Sequence, residues 1–221
     1  MENFITPLKN SMLFQDIPSD IIAREILPYA QVSDILKGTV LISPNDLVDR
    51  IGIVITGKIN IMHIFADGTC SLISVLGEHK VLSADLICTR TRISPYHAIA
   101  ATPAQIIFIP AAVFLMPGKI MESHRLSILS HLLTLISHEN MRKEYRLAIM
   151  AQKGLRERIL VYLTMQANKR RTNTFTIPFS REELASFLCV NRSALSHELS
   201  LMQQEGILRF HKNEFTLLTP Y

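Results

Sequence analysis

"SREELASFLCVNRSALSHELSLMQQEGIL", Ser180–Leu208, reads as two short helices joined by a sharp break. Leu184, Ala185 and Leu188 mark one face of the first helix, and Leu195, Leu199 and Met202 fall at i, i+4 and i+7 on the second. Ser180 with Glu183 makes a capping box, in which hydroxyl and carboxylate satisfy unpaired backbone N–H groups at a helix start. Asn191 can cap the second helix and Gly206 can end it. Cys189-Val190-Asn191 leaves room only for a tight turn, with Val190 placed to fill the angle between the helices. This is a helix-turn-helix pattern. The pattern alone also suits a packed helical hairpin that binds nothing. The start of the second helix decides between the two. Asn191, Arg192, Ser193, Ser196 and His197 are all hydrogen-bonding types, and no carboxylate follows until Glu198. Arginine offers a fork to guanine, while Ser and Asn serve bases or phosphates. Ser180 and Arg181 at the first helix start, and Lys212 in the hairpin "RFHKNEF" as a phosphate contact, complete the expected DNA-binding set.

Charge agrees with that reading. Residues 1–147 hold 13 Lys+Arg against 13 Asp+Glu, and residues 148–221 hold 10 against 6, so the whole formal charge of +4 sits in the last third. A basic module beside a neutral one suits a polyanionic partner for the former, here double-stranded DNA. With 221 residues the chain has room for one large and one small domain, each with its own core. The cysteines Cys70, Cys88 and Cys189 are scattered and odd in number, and no secretory leader precedes "MENFITPLKN", so a reducing, cytoplasmic location is expected. Ile93 to Gly118 has no charged residue, but Pro95, Pro103, Pro110 and Pro117 would break a spanning helix repeatedly. Short buried strands are expected there, and no membrane partner.

Upstream the period changes. After an amphipathic opening, "LFQDIPSDIIAREILPYA", the chain runs through "GTVLI", "IGIVITGKINIMHIF", "TCSLISVL", "HAIAA" and "QIIFI", β-branched segments punctuated by Gly, Pro, Asp or Asn. Asp67-Gly68 is a hairpin signal, because Gly accepts the positive φ of a tight turn. Gly57 interrupts its strand, which predicts a bulge or a bend. Strands at this spacing make a barrel or a double-sheet roll. From about Lys119 the period becomes helical. Leu126, Leu129, Leu133, Ile136 and Asn140 alternate steps of three and four, the seam of a two-stranded coiled coil, and an Asn at such a place can fix register. Ile128, Leu132 and Leu135 widen the apolar surface, so the helix is expected to touch both a partner helix and its own β-domain.

β-roll, seam helix and basic helix-turn-helix, in that order, resemble the cyclic-AMP receptor protein/fumarate-nitrate regulator (Crp/Fnr) family of bacterial transcription factors. The resemblance is carried by "LFQDIPSDII", "KGTVLISPNDLVDRIGIVITGKINI", the "ADGT" hairpin, "VLGE", the long helix and "FSREELASFLCVNRSALSHELSLMQQEGIL". It implies an α+β fold: an N-terminal double-stranded β-helix of jelly-roll type, similar to cyclic-nucleotide-binding domains and serving as effector sensor over residues 1–118. It further implies a dimerisation helix and hinge over 119–150, and a C-terminal winged helix-turn-helix over 151–221. Two recognition helices of a symmetric dimer would read half-sites about 34 Å apart. Arg192 matches the family's first base-reading arginine. Ser193 stands where many members have Glu, His197 where many have a second Arg, and Cys189 where the turn often has Gly. A cysteine there implies either a negative φ or strain.

The effector region departs further. The resemblance places Val81-Leu82-Ser83 on the family's Gly-Glu helix and Ser94-Pro95 on its phosphate-binding Arg-Ser pair. Without that arginine a bound phosphate lacks its counter-charge, so cyclic AMP is not expected, and Arg90 or Arg92 are the nearby residues that could replace it. Ser83, Tyr96, Ile128 and Leu132 offer a mixed lining in which an apolar or aromatic acid fits better than a nucleotide. An iron–sulfur cluster needs four thiolates and is not expected; haem could take Cys70, His79 or His97, single residues of little specificity. His124, His131 and His138 recur every seven residues, about 10.5 Å apart along a helix, too far to share a metal. The seam assignment puts them on a solvated outer face. No phosphate-cradling loop, paired-histidine zinc motif or nucleophile elbow supports an enzyme. Two functions stay open. A small molecule in the roll could reposition the DNA modules across the Asn140–Lys153 junction. Alternatively, the roll has lost its ligand and serves dimerisation or contact with RNA polymerase.

Overall fold

The computed structural model describes residues 4–218. Short helices α1 (Ile5–Lys9) and α2 (Ser19–Ile21) and two further helical turns to Tyr29 precede β1 (Gln31–Ile35), β2 (Val40–Ile42), β3 (Arg50–Thr56), β4 (Ile59–Ile64), β5 (Cys70–Leu76) and β6 (Val81–Leu82). After α3 (Ala84–Ile87) come β7 (His97–Ala100), β8 (Ala104–Pro110), α4 (Ala112–Leu115) and the long α5 (Glu122–Met150). The remainder is α6 (Leu155–Arg170), β9 (Thr174–Thr176), α7 (Arg181–Phe187), α8 (Arg192–Gln204), β10 (Leu208–His211) and β11 (Glu214–Leu217).

The first eight strands form two four-stranded sheets, ordered β1-β8-β3-β6 and β2-β7-β4-β5. Apart from the β4–β5 hairpin all neighbours are non-consecutive, which marks a roll, and the pairings β1–β8, β3–β8, β3–β6, β2–β7 and β4–β7 are antiparallel. All five residues Ile51–Ile55 of β3 are buried, so both faces of that strand are covered. Ile106, Ile107 and Ile109 of β8 join them in one core, together with Leu8 of α1, Phe14 of the turn after it and Phe114 of α4. The rings of Phe14 and Phe114 meet at 5.9 Å, tilted by 57°. The proline-broken stretch 93–118 supplies β7, β8 and α4, as its period suggests. No helix among the described residues is long and apolar enough to cross a membrane.

Gly57 resolves its two alternatives as a bend. It lies at φ +87° between β3 and β4, and a Cβ there would come within 2.3 Å of the Pro103 carbonyl oxygen. Only glycine meets both demands. Asp67-Gly68 turns the β4–β5 hairpin: Gly68 has φ +79°, and the Asp67 carboxylate accepts from the Thr69 amide and hydroxyl.

Contacts divide the described chain into two compact units. One holds the residues up to Ile64 and Ile73–Met141; the other holds Phe65–Leu72 with everything from Arg142 onward. The hairpin tip and the last turns of α5 therefore group with the helix-turn-helix, where the sequence suggested boundaries at 118/119 and 150/151.

The histidine expectation needs correction. His124 and His131 are not on a solvated face: the His124 ring lies 3.2 Å from Glu25, and His131 bonds the Leu13 carbonyl at 2.9 Å and approaches Asp16 at 3.2 Å. Only His138 of the three is exposed. The two inner rings instead tie α5 to the N-terminal segment. Burial alone would raise the Glu25 pKa, but the Met121 amide, the His124 ring and Arg24 outweigh it and hold the carboxyl below its usual value. A group depressed in the folded state stabilises fully above its unfolded pKa and loses that contribution as pH falls through the folded value. Glu25→Gln is therefore expected to lower the melting temperature at neutral pH, with the difference from wild type closing in acid; an equal difference at all pH values contradicts the pairing.

Candidate nucleic-acid interface

The second unit builds its candidate DNA-facing surface from local chemistry. The capping box on α7 is complete: Ser180 Oγ accepts from the Glu183 amide at 3.2 Å and Glu183 accepts from the Ser180 amide at 2.7 Å. At the other end the Val190 N–H reaches the Ala185 carbonyl and the Cys189 N–H reaches that of Ser186, two bonds that close a Schellman turn. Cys189 occupies its left-handed position at φ +56°, so the strained alternative holds, at a cost of roughly 1–2 kcal/mol relative to a right-handed residue. The cysteine is exposed. Asn191 then caps α8, accepting from the Ala194 amide at 2.8 Å. The end of α8 repeats the Schellman pattern, with Gly206 at φ +73°.

Leu195, Leu199 and Met202 are fully buried, which fixes the roll of α8 about its axis. Phe179, Phe187 and Tyr162 pack around α7 with ring centroids 5.0–6.1 Å apart. Fixing that face leaves Asn191, Arg192, Ser193 and His197 exposed, with Ser196 half-buried beside them. Asn191 Oδ1 also accepts from the Ser193 hydroxyl at 2.9 Å, so this pair is partly used in the cap. Arg192 has no side-chain partner among the described residues, and the helix N-terminus adds its own positive end for a phosphate.

Arg181 opens α7, as expected, and is engaged by the last two strands. Its guanidinium stacks over Phe210 at 4.8 Å and Phe215 at 5.6 Å and donates to the Lys212 carbonyl, so it props the wing formed by β10 and β11. Burial, then the like charge of Arg192, pulls its pKa below the ordinary value. Lys212 itself lies in the two-residue wing turn at φ +52°, exposed. Lys212→Ala is expected to weaken binding to all DNA sequences alike and to reduce the slope of log affinity against log salt by about 1. A change in base preference in that variant would contradict the wing assignment.

Two features of this unit had no sequence signal. Arg156 at the start of α6 bridges Glu198 at 2.6 Å and forks onto Glu205 at 2.7 and 2.9 Å, neutralising the carboxylate nearest the reading end of α8. The hairpin tip is bonded to α7 and its turn: Ser186 Oγ accepts from the Leu72 amide and donates to the Cys70 carbonyl, while Ser71 meets the Cys189 thiol and accepts from Arg146. Only a residue fixed at 3.0–3.4 Å by a segment over 110 positions away reveals this.

The six residues expected to form the effector pocket differ in burial and in partners. Ser83 is buried and borders a cleft with Gln31, Arg50 and Phe108. Arg90 is exposed and Arg92 half-exposed at φ +54°. Tyr96 is buried and donates to Asp85 at 3.0 Å; burial, then that carboxylate, pushes its phenol well above the ordinary range. Ile128 and Leu132 are buried in the roll's core. Of the haem candidates, Cys70 is exposed, while the Nδ1 atoms of His79 and His97 are buried without a hydrogen-bond partner among the described residues. No group of three or more His, Cys, Asp or Glu among the described residues could hold a metal.

The comparisons follow this architecture. Residues 33–116 match the family model of the cyclic nucleotide-binding domain, and residues 157–220 match that of the Crp-like helix-turn-helix domain. The chain is similar to the global nitrogen regulator of Synechococcus elongatus, 19% identical over 196 residues and 86% of each chain. In fold it is similar to the c-di-GMP responsive global regulator CLP of Xanthomonas campestris, with a TM-score of 0.70 at 15% identity over 92% of this chain and 100% of that one. FixK2 of Bradyrhizobium japonicum gives a TM-score of 0.65 at 16% identity, over 86% and 93%. With a cyclic nucleotide-binding domain, a long helix and a Crp-like helix-turn-helix in one order along one chain, this protein belongs to the Crp/Fnr family of DNA-binding transcription regulators.

Proposed function

We propose that the protein is a homodimeric regulator that reads a palindromic DNA site through α8 and is gated by a small molecule other than cyclic AMP held in the roll. The observation that carries dimerisation is the outer face of α5. Leu126 and Leu133 are 56% and 67% exposed, while Ile128 and Leu132 on the adjoining face are buried. Large apolar side chains at coiled-coil spacing, left uncovered by the chain's own core, fit a second copy of the same helix. Leu129 and Ile136, half-buried between those faces, and exposed Asn140 continue the seam.

Asn191, Arg192, Ser193, Ser196 and His197 then form the base-reading end of each protomer, Ser180 and Lys212 border the phosphates, and Arg181 holds the wing. The division into sensor roll, dimer helix and DNA module at 1–118, 119–150 and 151–221 belongs to the same reading. Loss of the phosphate-binding arginine argues against cyclic AMP, and CLP, named as responsive to c-di-GMP, is a fold relative with another effector. Sedimentation equilibrium tests the dimer: a species of twice the chain mass at micromolar concentration is expected, and a monomer that binds DNA as one copy refutes the reading.

A further inference from the structure

An open cleft of about 400 Å³ lies among β1, β2, the loop leading into β3, and the start of α3. Its apolar wall is Leu41, Ile42, Leu47, Val48 and Phe108; its polar rim is Gln31, Ser33, Asp46, Asp49, Arg50 and Ser83. Of the residues that the family resemblance places around an effector, only Ser83 reaches it. The volume is in the range of a small-molecule site.

Ser83 supplies the strongest pointer. It is 4% exposed, held at φ +69° in a left-handed conformation, and its hydroxyl makes no capping bond with α3. Its hydroxyl borders the cleft and has no hydrogen-bond partner among the described residues, which leaves it free to bond a ligand. The charges on the rim say which. Arg50 donates to Gln31 at 3.0 Å and stands 3.6 Å from Asp49, while Asp46 accepts from the Ser43 amide at 2.7 Å. Two carboxylates against one guanidinium leave the rim at −1. That balance repels a phosphate or a simple organic acid and attracts an amine.

We infer that the cleft takes a small molecule of amino-acid type, with an apolar or aromatic body against Phe108 and Leu41, an amino group between Asp46 and Asp49, and a hydrogen bond to Ser83. Its carboxylate, where present, falls to Arg50. This rests on the reading of the roll as a sensor and revises its ligand chemistry from an aromatic acid to an aromatic amine or zwitterion.

The test is thermal unfolding of the full-length protein at neutral pH with four probes at equal millimolar concentration: L-phenylalanine, phenylethylamine, phenylpropanoate and cyclic AMP. A ligand that binds only the folded state raises the melting temperature. L-Phenylalanine and phenylethylamine are expected to raise it by several degrees, and phenylpropanoate and cyclic AMP to leave it unchanged. Asp49→Asn, at an exposed side chain, should remove the amine effect without moving the ligand-free melting temperature, and Ser83→Ala should weaken the apparent affinity about 2- to 10-fold. A shift with phenylpropanoate or cyclic AMP alone, or none with either amine, overturns the inference. Selection of bound DNA run on the same preparation separates the two readings: a selected palindrome with no amine effect removes this ligand and leaves the regulator standing.

Discussion

Arg192→Ala is expected to cost about 1–3 kcal/mol of specific DNA binding, a loss of roughly 5- to 150-fold, and to relax base preference at one position in each half-site. The side chain is exposed at the first turn of α8, has no partner among the described residues, and sits on a helix whose opposite face is locked by fully buried Leu195, Leu199 and Met202. A guanidinium so placed is free to fork onto a guanine edge. Its neighbours are less free, because Asn191 and Ser193 share a bond within the cap. Arg192→Ala should therefore exceed Asn191→Ala in its effect on preference, measured by binding to a panel of single-base variants. A uniform loss over the whole panel would make Arg192 a phosphate contact.

Leu133→Asp is expected to separate the protomers and to lower affinity for a palindromic site by roughly 10²–10⁴-fold, the factor lost when two linked contacts become independent. Leu133 is the most exposed of the seam leucines, so an aspartate there should leave the monomer's melting temperature nearly unchanged. A charge facing its symmetry mate across an apolar seam is what breaks the pair. The matching control is Leu132→Asp, one residue along and in the roll's core, where the variant should fail to fold. Retention of a dimer by Leu133→Asp would move the interface off this face of α5.

The helix-turn-helix was legible because its signals are local. Ser180, Glu183, Asn191 and Gly206 act within four residues of the backbone groups they satisfy, and the spacing of Leu195, Leu199 and Met202 reports one helix face directly. The β-roll was legible in its strands and in the Asp67-Gly68 turn for the same reason. On α5 the exposed Leu126 and Leu133 and the buried Ile128 and Leu132 follow the helical period with an offset, so the two faces separate in the sequence. Contacts that close over long sequence distances left no such mark. The partners of His124 and His131 lie on the N-terminal segment about a hundred residues away, so a heptad count saw a solvated stripe where the chain has bonds to Glu25 and Leu13.

The pocket shows the same limit. Tyr96 is tied to Asp85, and Ile128 and Leu132 are buried in the roll's core, places that no local spacing announces. Gln31, Asp46, Asp49 and Arg50 come from strands and a loop that only the roll brings to Ser83. One charge pair in the second unit also left no local mark. Glu198, the first carboxylate after the polar start of α8, is held by Arg156, 42 residues earlier.

Selection of bound sequences from random double-stranded DNA by the purified full-length protein, at one stated salt concentration, tests the central claim most directly. An inverted repeat with half-sites about one helical turn apart, lost in Leu133→Asp and altered at one base pair of each half in Arg192→Ala, is the predicted result. Enrichment of an asymmetric single site, or of none with any of the four effector probes present, would contradict a symmetric dimer that reads DNA through α8.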